Sequence, residues 1–128
     1  MLHMDRNPVG WFEIPVADMD RAEKFYQEVL GYEMSRQEVV GQVMSWFPMH
    51  ENAPFASGSL ILHKTWQPST DGTTVYFGVA SIDAVLGKIE EHGGEVLLPK
   101  SDIGDHGWIA HIKDSEGNRI AIHNLSGE

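Results

Sequence analysis

The chain has 128 residues, enough for one domain, and its 41% hydrophobic and 22% charged residues are typical of a globular protein. A formal net charge of −10 disfavours nucleic acids and anionic lipid surfaces as partners, and it favours neutral or cationic small molecules. The absence of cysteine excludes disulfides, thiolate nucleophiles and zinc–thiolate sites.

The first half of the chain predicts one strand, one helix and three further strands. Alternating apolar positions indicate a strand over 10–16, and Pro15 suits its end or a sheet edge. Asp18 is a good N-cap for a helix with an apolar stripe, and Gly31 is a plausible left-handed terminator. The later elements of this half are strands over 32–37, 42–47 and 58–63, with a loop over 48–57.

The second half predicts the same order after a polar linker over 66–72. Ser81 caps the second helix, which Gly93-Gly94 ends. The strands are expected over 73–79, 95–98, 108–113 and 118–125, with a loop over 99–107 and a turn over 114–117.

The two halves are also similar in sequence. The segment from Val16 to Asp20 resembles that from Val79 to Asp83, and Gly31 matches Gly94 at the same spacing. A repeated unit too small to bury its own core must pack against its twin. We therefore expect an α+β fold of two βαβββ modules, about 8–65 and 73–125, within a single domain over 1–128. Their curved mixed sheets should form a half-open barrel around a concave pocket, with the helices on the outer face.

This order carries recognisable motifs: the segments Trp11–Val16, Asp18–Tyr26, Gly93-Gly94 and Asp114–Asn118. With them the chain resembles the vicinal oxygen chelate superfamily, which includes glyoxalase I, bleomycin-resistance proteins and extradiol dioxygenases. It is most similar to the poorly characterised glyoxalase-like branch. The resemblance specifies the fold strongly and the reaction hardly at all.

The resemblance also indicates where a metal would be held. Metal-using members take four ligands from the first and last strand of each module, and these positions correspond here to Trp11, Ile61, Thr74 and Ala121. Only Thr74 carries a side-chain oxygen, and none of the four is a strong ligand for a divalent ion. The usual metal site is therefore expected to be absent, and no cofactor is favoured.

Strand residues two apart share a face, so a second layer of side chains should also face the pocket. It consists of Glu13, His63, Tyr76 and His123, with His111 from the strand before the last. A carboxylate, imidazoles and a phenol on one surface suit acid/base chemistry, with Glu13, His111 and His123 as candidate catalytic residues. The candidate substrate-pocket residues are Trp11, Ile61, His63, Thr74, Tyr76, Trp108 and Ala121. Of these, Trp11 and Trp108 could give the pocket an aromatic lining.

Each of these residues has an alternative interpretation. Glu13 is either a general base with a raised pKa or the partner of a structural ion pair with a residue such as Arg119. The histidines could face water or lie hydrogen-bonded in the core, and the tryptophans could be core residues. Glu13, His63 and His123 also have the composition of a two-His-one-carboxylate site for a divalent metal, which stays open as the less favoured alternative.

Three functions follow as hypotheses. The first is a lyase or isomerase acting on a small carbonyl or hydroxyl compound, with Glu13 as acid/base. The second is a non-catalytic binding protein of the bleomycin-resistance type. The third is a protein whose pocket is vestigial and whose role lies in its dimer surface. We expect a homodimer, because each module leaves strand edges to be covered. A cytoplasmic location is expected, since no secretory signal or membrane-spanning segment is apparent in the sequence.

Overall fold

Eight strands and two α-helices make up the computed structural model, which describes residues 5–128. In chain order they are β1 (Phe12–Val16), α1 (Met19–Leu30), β2 (Ser35–Val39), β3 (Gln42–Trp46), β4 (Gly58–Leu62), β5 (Tyr76–Gly78), α2 (Ile82–Leu86), β6 (Glu95–Asp102), β7 (Trp108–Lys113) and β8 (Arg119–Asn124). Short 3-10 turns lie at Glu90–His92 and Gly104–His106. Within residues 5–128, no helix is both long enough and apolar enough to cross a membrane.

The strands form two four-stranded sheets of matching topology, ordered β1-β4-β3-β2 and β5-β8-β7-β6. In each sheet the first strand runs parallel to the last, and the remaining pairs are antiparallel. The predicted α+β fold of two βαβββ modules is confirmed. Over the described residues the two sheets stay separate and do not close into a barrel.

Helix α1 has the ends that its sequence predicts. The side chain of Asp18 accepts a 3.0 Å hydrogen bond from the backbone N–H of Arg21. At the other end Gly31 adopts a left-handed conformation with φ of 78°, which glycine reaches without a Cβ clash. The helix buries its apolar stripe, which consists of Met19, Ala22, Phe25, Tyr26 and Val29.

The second helix and strand β6 differ from the expectation. Ser81 caps α2 as predicted, accepting from the N–H of Ala84 at 3.0 Å, but α2 ends at Leu86 and only a 3-10 turn follows. Gly87 sits at this break, where its poor helix propensity disfavours a continuous helix. Strand β6 continues through Pro99 to Asp102 instead of ending at Leu98.

One hydrophobic core joins the two modules. Alternate residues of β1 and β8, such as Ile14 and Ile122, are buried against the helices. Phe77 of the second module packs with its ring centroid 5.8 Å from that of Phe12 and 5.5 Å from that of Phe47. Each module therefore depends on the other to exclude water from its apolar face.

Polar contacts fix the same junction. One carboxylate oxygen of Glu116, on the turn between β7 and β8, accepts hydrogen bonds from the backbone N–H groups of Ala17 and Asp18 at 2.9 and 2.8 Å. Its other oxygen lies 2.6 Å from Nε of Arg21. The side-chain amide of Asn118 donates to the carbonyl of Pro15 at 2.7 Å. These bonds hold the end of β1 beside the start of β8.

Candidate functional site

Glu13, Tyr76, His111 and His123 of the predicted polar layer lie on the sheet faces away from the helices, whereas His63 follows the end of β4. Ile14, next to Glu13, is buried under α1, whereas Glu13 itself is exposed. In the second sheet, Tyr76, Ala121 and His111 are partners in register across β5, β8 and β7 and therefore share one face.

An aromatic groove of about 1010 Å³ lies between the two modules. The first module contributes Trp11, Phe12 and Phe47 to its lining, and the second contributes Tyr76 and Phe77. The rings of Phe12, Phe47 and Phe77 pack against one another, with centroids 5.5–5.8 Å apart. The remaining lining residues are Gly10, Tyr32, Val75, Gly78, His123 and most of the loop over 48–57. A concave, mostly apolar surface of this size, with few polar groups, is typical of a site for a small organic ligand.

The main polar feature at this groove is a chain of three hydrogen-bonded side chains. The hydroxyl of Tyr76 lies 3.1 Å from Nε2 of His111, and Nη1 of Arg119 lies 3.0 Å from Nδ1 of the same ring. The Tyr76 ring also meets the His111 ring edge-on, with centroids 5.6 Å apart. Of the three side chains, Tyr76 lines the groove, and His111 and Arg119 are linked to it by these hydrogen bonds.

The environment of His111 keeps this imidazole neutral. Burial lowers the pKa of His111 from its ordinary value, and the positive charge of Arg119 lowers it further. Because the ordinary value is near 6.5, the ring is uncharged at neutral pH. A neutral ring can accept a hydrogen bond at one nitrogen and donate from the other.

A second, smaller cleft of about 390 Å³ lies between β1 and the linker. Its charged lining residues are Glu13, Asp71 and Arg119. Among residues 5–128 no ion pair joins Glu13 to Arg119, whose Nε instead donates to the carbonyl of Thr70 at 3.3 Å. Glu13 thus lines this cleft and not the aromatic groove.

The other candidate residues occupy varied environments. The ring of His63 stacks on Trp66 at 4.1 Å, and Nε2 of His123 donates to the carbonyl of His106 at 2.6 Å. Trp108 packs against the core with the ammonium of Lys100 5.3 Å from its ring. The four positions matched to metal ligands are also divided: Ile61 and Ala121 are buried, Thr74 is half-buried, and Trp11 lies edge-on to Trp46.

The geometry does not assemble the less favoured metal set. Glu13 lies in the smaller cleft, His63 is stacked on Trp66, and His123 lines the aromatic groove with its Nε2 engaged by a carbonyl. Over residues 5–128 no group of three or more histidine or acidic side chains could hold a metal ion. The residues of one described chain therefore do not fit a divalent metal at this set.

Two parts of the site were not apparent in the sequence. Arg119 was considered only as an ion-pair partner, although it precedes Ala121 and His123 by even steps and so shares their face. The loop over 48–57 brings Phe55 to the groove, and the aromatic side chain of Phe55 is 89% exposed. A loop has no periodic pattern that would reveal this role.

The chain belongs to the Glyoxalase/Bleomycin resistance protein/Dioxygenase superfamily, whose family model matches residues 9–122. CFP32 of Mycobacterium tuberculosis, which is named as a proposed glyoxylase, is 26% identical to this chain over 126 residues. The match covers 88% of this chain and 44% of CFP32.

Solved structures show the same fold. Glyoxalase I from Zea mays superposes with a TM-score of 0.68 at 18% identity, over 91% of this chain and 46% of that one. TnmS3, an antibiotic binding protein from Streptomyces sp. CB03234, gives a TM-score of 0.66 at 24% identity, over 97% of this chain and 100% of its own. The chain thus spans less than half the length of CFP32 and of the maize enzyme.

Proposed function

We propose that the protein binds flat, neutral or cationic small molecules in the aromatic groove. The observation that carries this proposal is the aromatic lining of the groove, in which Trp11, Phe55 and Tyr76 are 38%, 89% and 51% exposed. Aromatic faces stack on planar ligands and attract cations through their quadrupoles. The net charge of −10 favours a cation further and disfavours an anion.

The family supports a binding role. TnmS3, an antibiotic binding protein, shares the fold over its whole length. In contrast, the four positions that correspond to metal ligands hold side chains that do not suit a metal. A concave groove without metal-ligating side chains at those positions is suited to sequestering a compound.

The test compares three planar probes in equilibrium dialysis: acridine orange as a cation, 9-fluorenone as a neutral compound and pyrene sulfonate as an anion. We expect the first two to bind and the anion to bind at least about tenfold more weakly. Trp11→Ala should weaken binding about tenfold, because it removes an exposed aromatic side chain from the groove lining. Trp66→Ala is the matched control, since exposed Trp66 lines neither cleft. Absence of binding, or an equal loss in both variants, would reject the proposal.

Acid/base catalysis is the second candidate, as a lyase or isomerase acting on a small carbonyl or hydroxyl compound. It is favoured by the position of the Glu13 carboxylate, which lines one cleft with the Arg119 guanidinium that could bind an oxyanion. Glu13→Gln should then abolish turnover of 2-oxoaldehyde adducts, while Glu28→Gln on the exposed side of α1 should not. Turnover retained in Glu13→Gln would remove this residue from any mechanism.

We also propose that the protein is a homodimer. Large apolar side chains are exposed at several places, including Val40 at 95% and Phe55 at 89%. The outer strands β2 and β6 have one unpaired edge each within their own sheets. Light scattering after gel filtration should give twice the chain mass, and a monomer at micromolar concentration would contradict the proposal.

A further inference from the structure

The hydrogen bond between Arg119 and His111 determines which nitrogen of the imidazole carries its proton. A guanidinium has only N–H groups and cannot accept a hydrogen bond. Its Nη1 lies 3.0 Å from Nδ1 of His111, so Nδ1 must offer its lone pair. In the neutral ring the proton is therefore on Nε2.

The position of this proton also determines the direction of the hydrogen bond between His111 and Tyr76. Nε2 of His111 lies 3.1 Å from the hydroxyl oxygen of Tyr76, so the imidazole donates and the phenol accepts. A phenolic hydroxyl keeps one proton of its own, which cannot point at a nitrogen that is already protonated. Tyr76 is 51% exposed and lines the groove, so this proton is available to a bound molecule.

We propose that Tyr76 selects ligands with a hydrogen-bond acceptor oxygen, such as a carbonyl, at the β5 side of the groove. Arg119 and His111 are positioning residues, because they hold the Tyr76 hydroxyl in its donating orientation. This proposal rests on the proposed binding function and assigns the chemical class of the ligand. The flat ring system of the ligand packs against the aromatic side chains of the groove, and one carbonyl oxygen accepts a hydrogen bond from the Tyr76 hydroxyl.

A ligand without the acceptor loses more than one favourable contact. It would leave the Tyr76 hydroxyl shielded from water and without a partner, which carries a desolvation cost. A ligand presenting an N–H at this point would place one hydrogen-bond donor against another, the O–H of Tyr76, and no hydrogen bond would form. Selectivity therefore comes from an oriented O–H group in an otherwise apolar groove.

The experiment uses two pairs of planar probes that differ only in a carbonyl: 9-fluorenone with fluorene, and xanthone with xanthene. Dissociation constants are measured by equilibrium dialysis on the full chain. We expect each ketone to bind about five- to tenfold more tightly than its partner, which is the range for one net hydrogen bond. Tyr76→Phe should remove this preference and leave the affinity for fluorene within about twofold.

Trp66→Phe is the control, because Trp66 is an exposed aromatic residue that lines neither cleft. It should leave the ketone preference unchanged. Arg119→Met tests the positioning role: His111 can then adopt either tautomer, and we expect the preference to fall about threefold or more. Nitrogen NMR of the histidine ring should show the proton on Nε2 in the unaltered protein and a mixture in Arg119→Met.

The outcomes separate the two proposals. Equal binding of ketones and hydrocarbons, or a preference that survives Tyr76→Phe, would overturn the selection by Tyr76 and leave the binding function in place. A proton found on Nδ1 of His111 would overturn the positioning chain. Failure of all four probes to bind would reject the binding function, and the inference that rests on it would fail as well.

Discussion

The hydroxyl of Tyr26 donates a 2.7 Å hydrogen bond to Oδ2 of Asp114, 88 residues further along the chain. Both side chains are buried, with exposed fractions of 0% and 1%. Burial raises the pKa of Asp114, and hydrogen bonds from Tyr26 and Asn118 oppose that rise. This bond links α1 of the first module to the turn between β7 and β8 of the second, so it helps to hold the two modules together.

Tyr26→Phe should lower the free energy of unfolding by about 1–3 kcal/mol, because it removes the shorter of two hydrogen bonds to a buried carboxyl oxygen and leaves only the 3.1 Å bond from the side-chain amide of Asn118. Urea denaturation measures the change. Tyr32→Phe is the control and should cost about 0.5 kcal/mol or less, since its hydroxyl makes no hydrogen bond to another residue among 5–128. Equal losses in the two variants would show that the bond to Asp114 contributes nothing specific.

Glu116→Gln should change how stability depends on acidity. Burial disfavours the charged form of Glu116, but hydrogen bonds from Arg21 and from the N–H groups of Asp18 and Ala17 outweigh it, and the net effect lowers its pKa from 4.5. A lowered native pKa gives stability that is present above about pH 4.5 and is lost as the pH falls through the native value.

The variant is therefore expected to be less stable at neutral pH and to depend less on pH below about 4.5. Urea midpoints measured across the acid range test both expectations. Glu28→Gln, at an exposed position of α1, is the control and should follow the unaltered protein. An unchanged acid slope in Glu116→Gln would argue against this linkage.

Gly94→Ala should destabilise the contact between the modules. A Cβ at this position would lie 2.6 Å from the carbonyl oxygen of Lys113 and 3.0 Å from Cε2 of Phe25. The backbone oxygen cannot move aside easily, so we expect a loss of about 1–3 kcal/mol. Gly10→Ala provides the comparison, because a Cβ there meets no atom of residues 5–128 within 4 Å. Thermal unfolding of the two variants should differ in this direction, and equal melting temperatures would contradict the close approach.

Phe55 should become protected when the groove is filled. This residue is 89% exposed, has a left-handed φ of 75°, and lies on the loop that lines the groove. Chymotrypsin is expected to cut after Phe55 in the free protein and about tenfold more slowly with saturating fluorenone. Phe55→Ser should remove this cut. Equal cleavage rates with and without ligand would show that the loop does not respond to binding.

Local signals in the sequence predicted the parts of the fold that depend on neighbouring residues. Asp18, Gly31 and Ser81 cap helices as expected, because capping needs only a suitable side chain or a left-handed backbone at one position. The alternation along β1 likewise predicted that Ile14 is buried while Glu13 is not.

Features set by tertiary context could not be predicted in this way. Pro99 suggested a loop, but β6 lies at the edge of its sheet and pairs only with β7, so a residue without an N–H is tolerated there. Register shifts between Val96 and Ser101 let the strand continue past it. The chain from Arg119 to Tyr76 also depends on register between strands that are far apart in sequence.

The aromatic lining of the groove comes from both halves of the duplicated chain, with Trp11 and Phe47 from one and Tyr76 and Phe77 from the other. A ligand bound in the groove therefore contacts both halves and stabilises their association. Its affinity is thermodynamically linked to folding, and the melting temperature should climb with its concentration. A compound library can thus be screened by melting curves alone, with no assumption about any reaction.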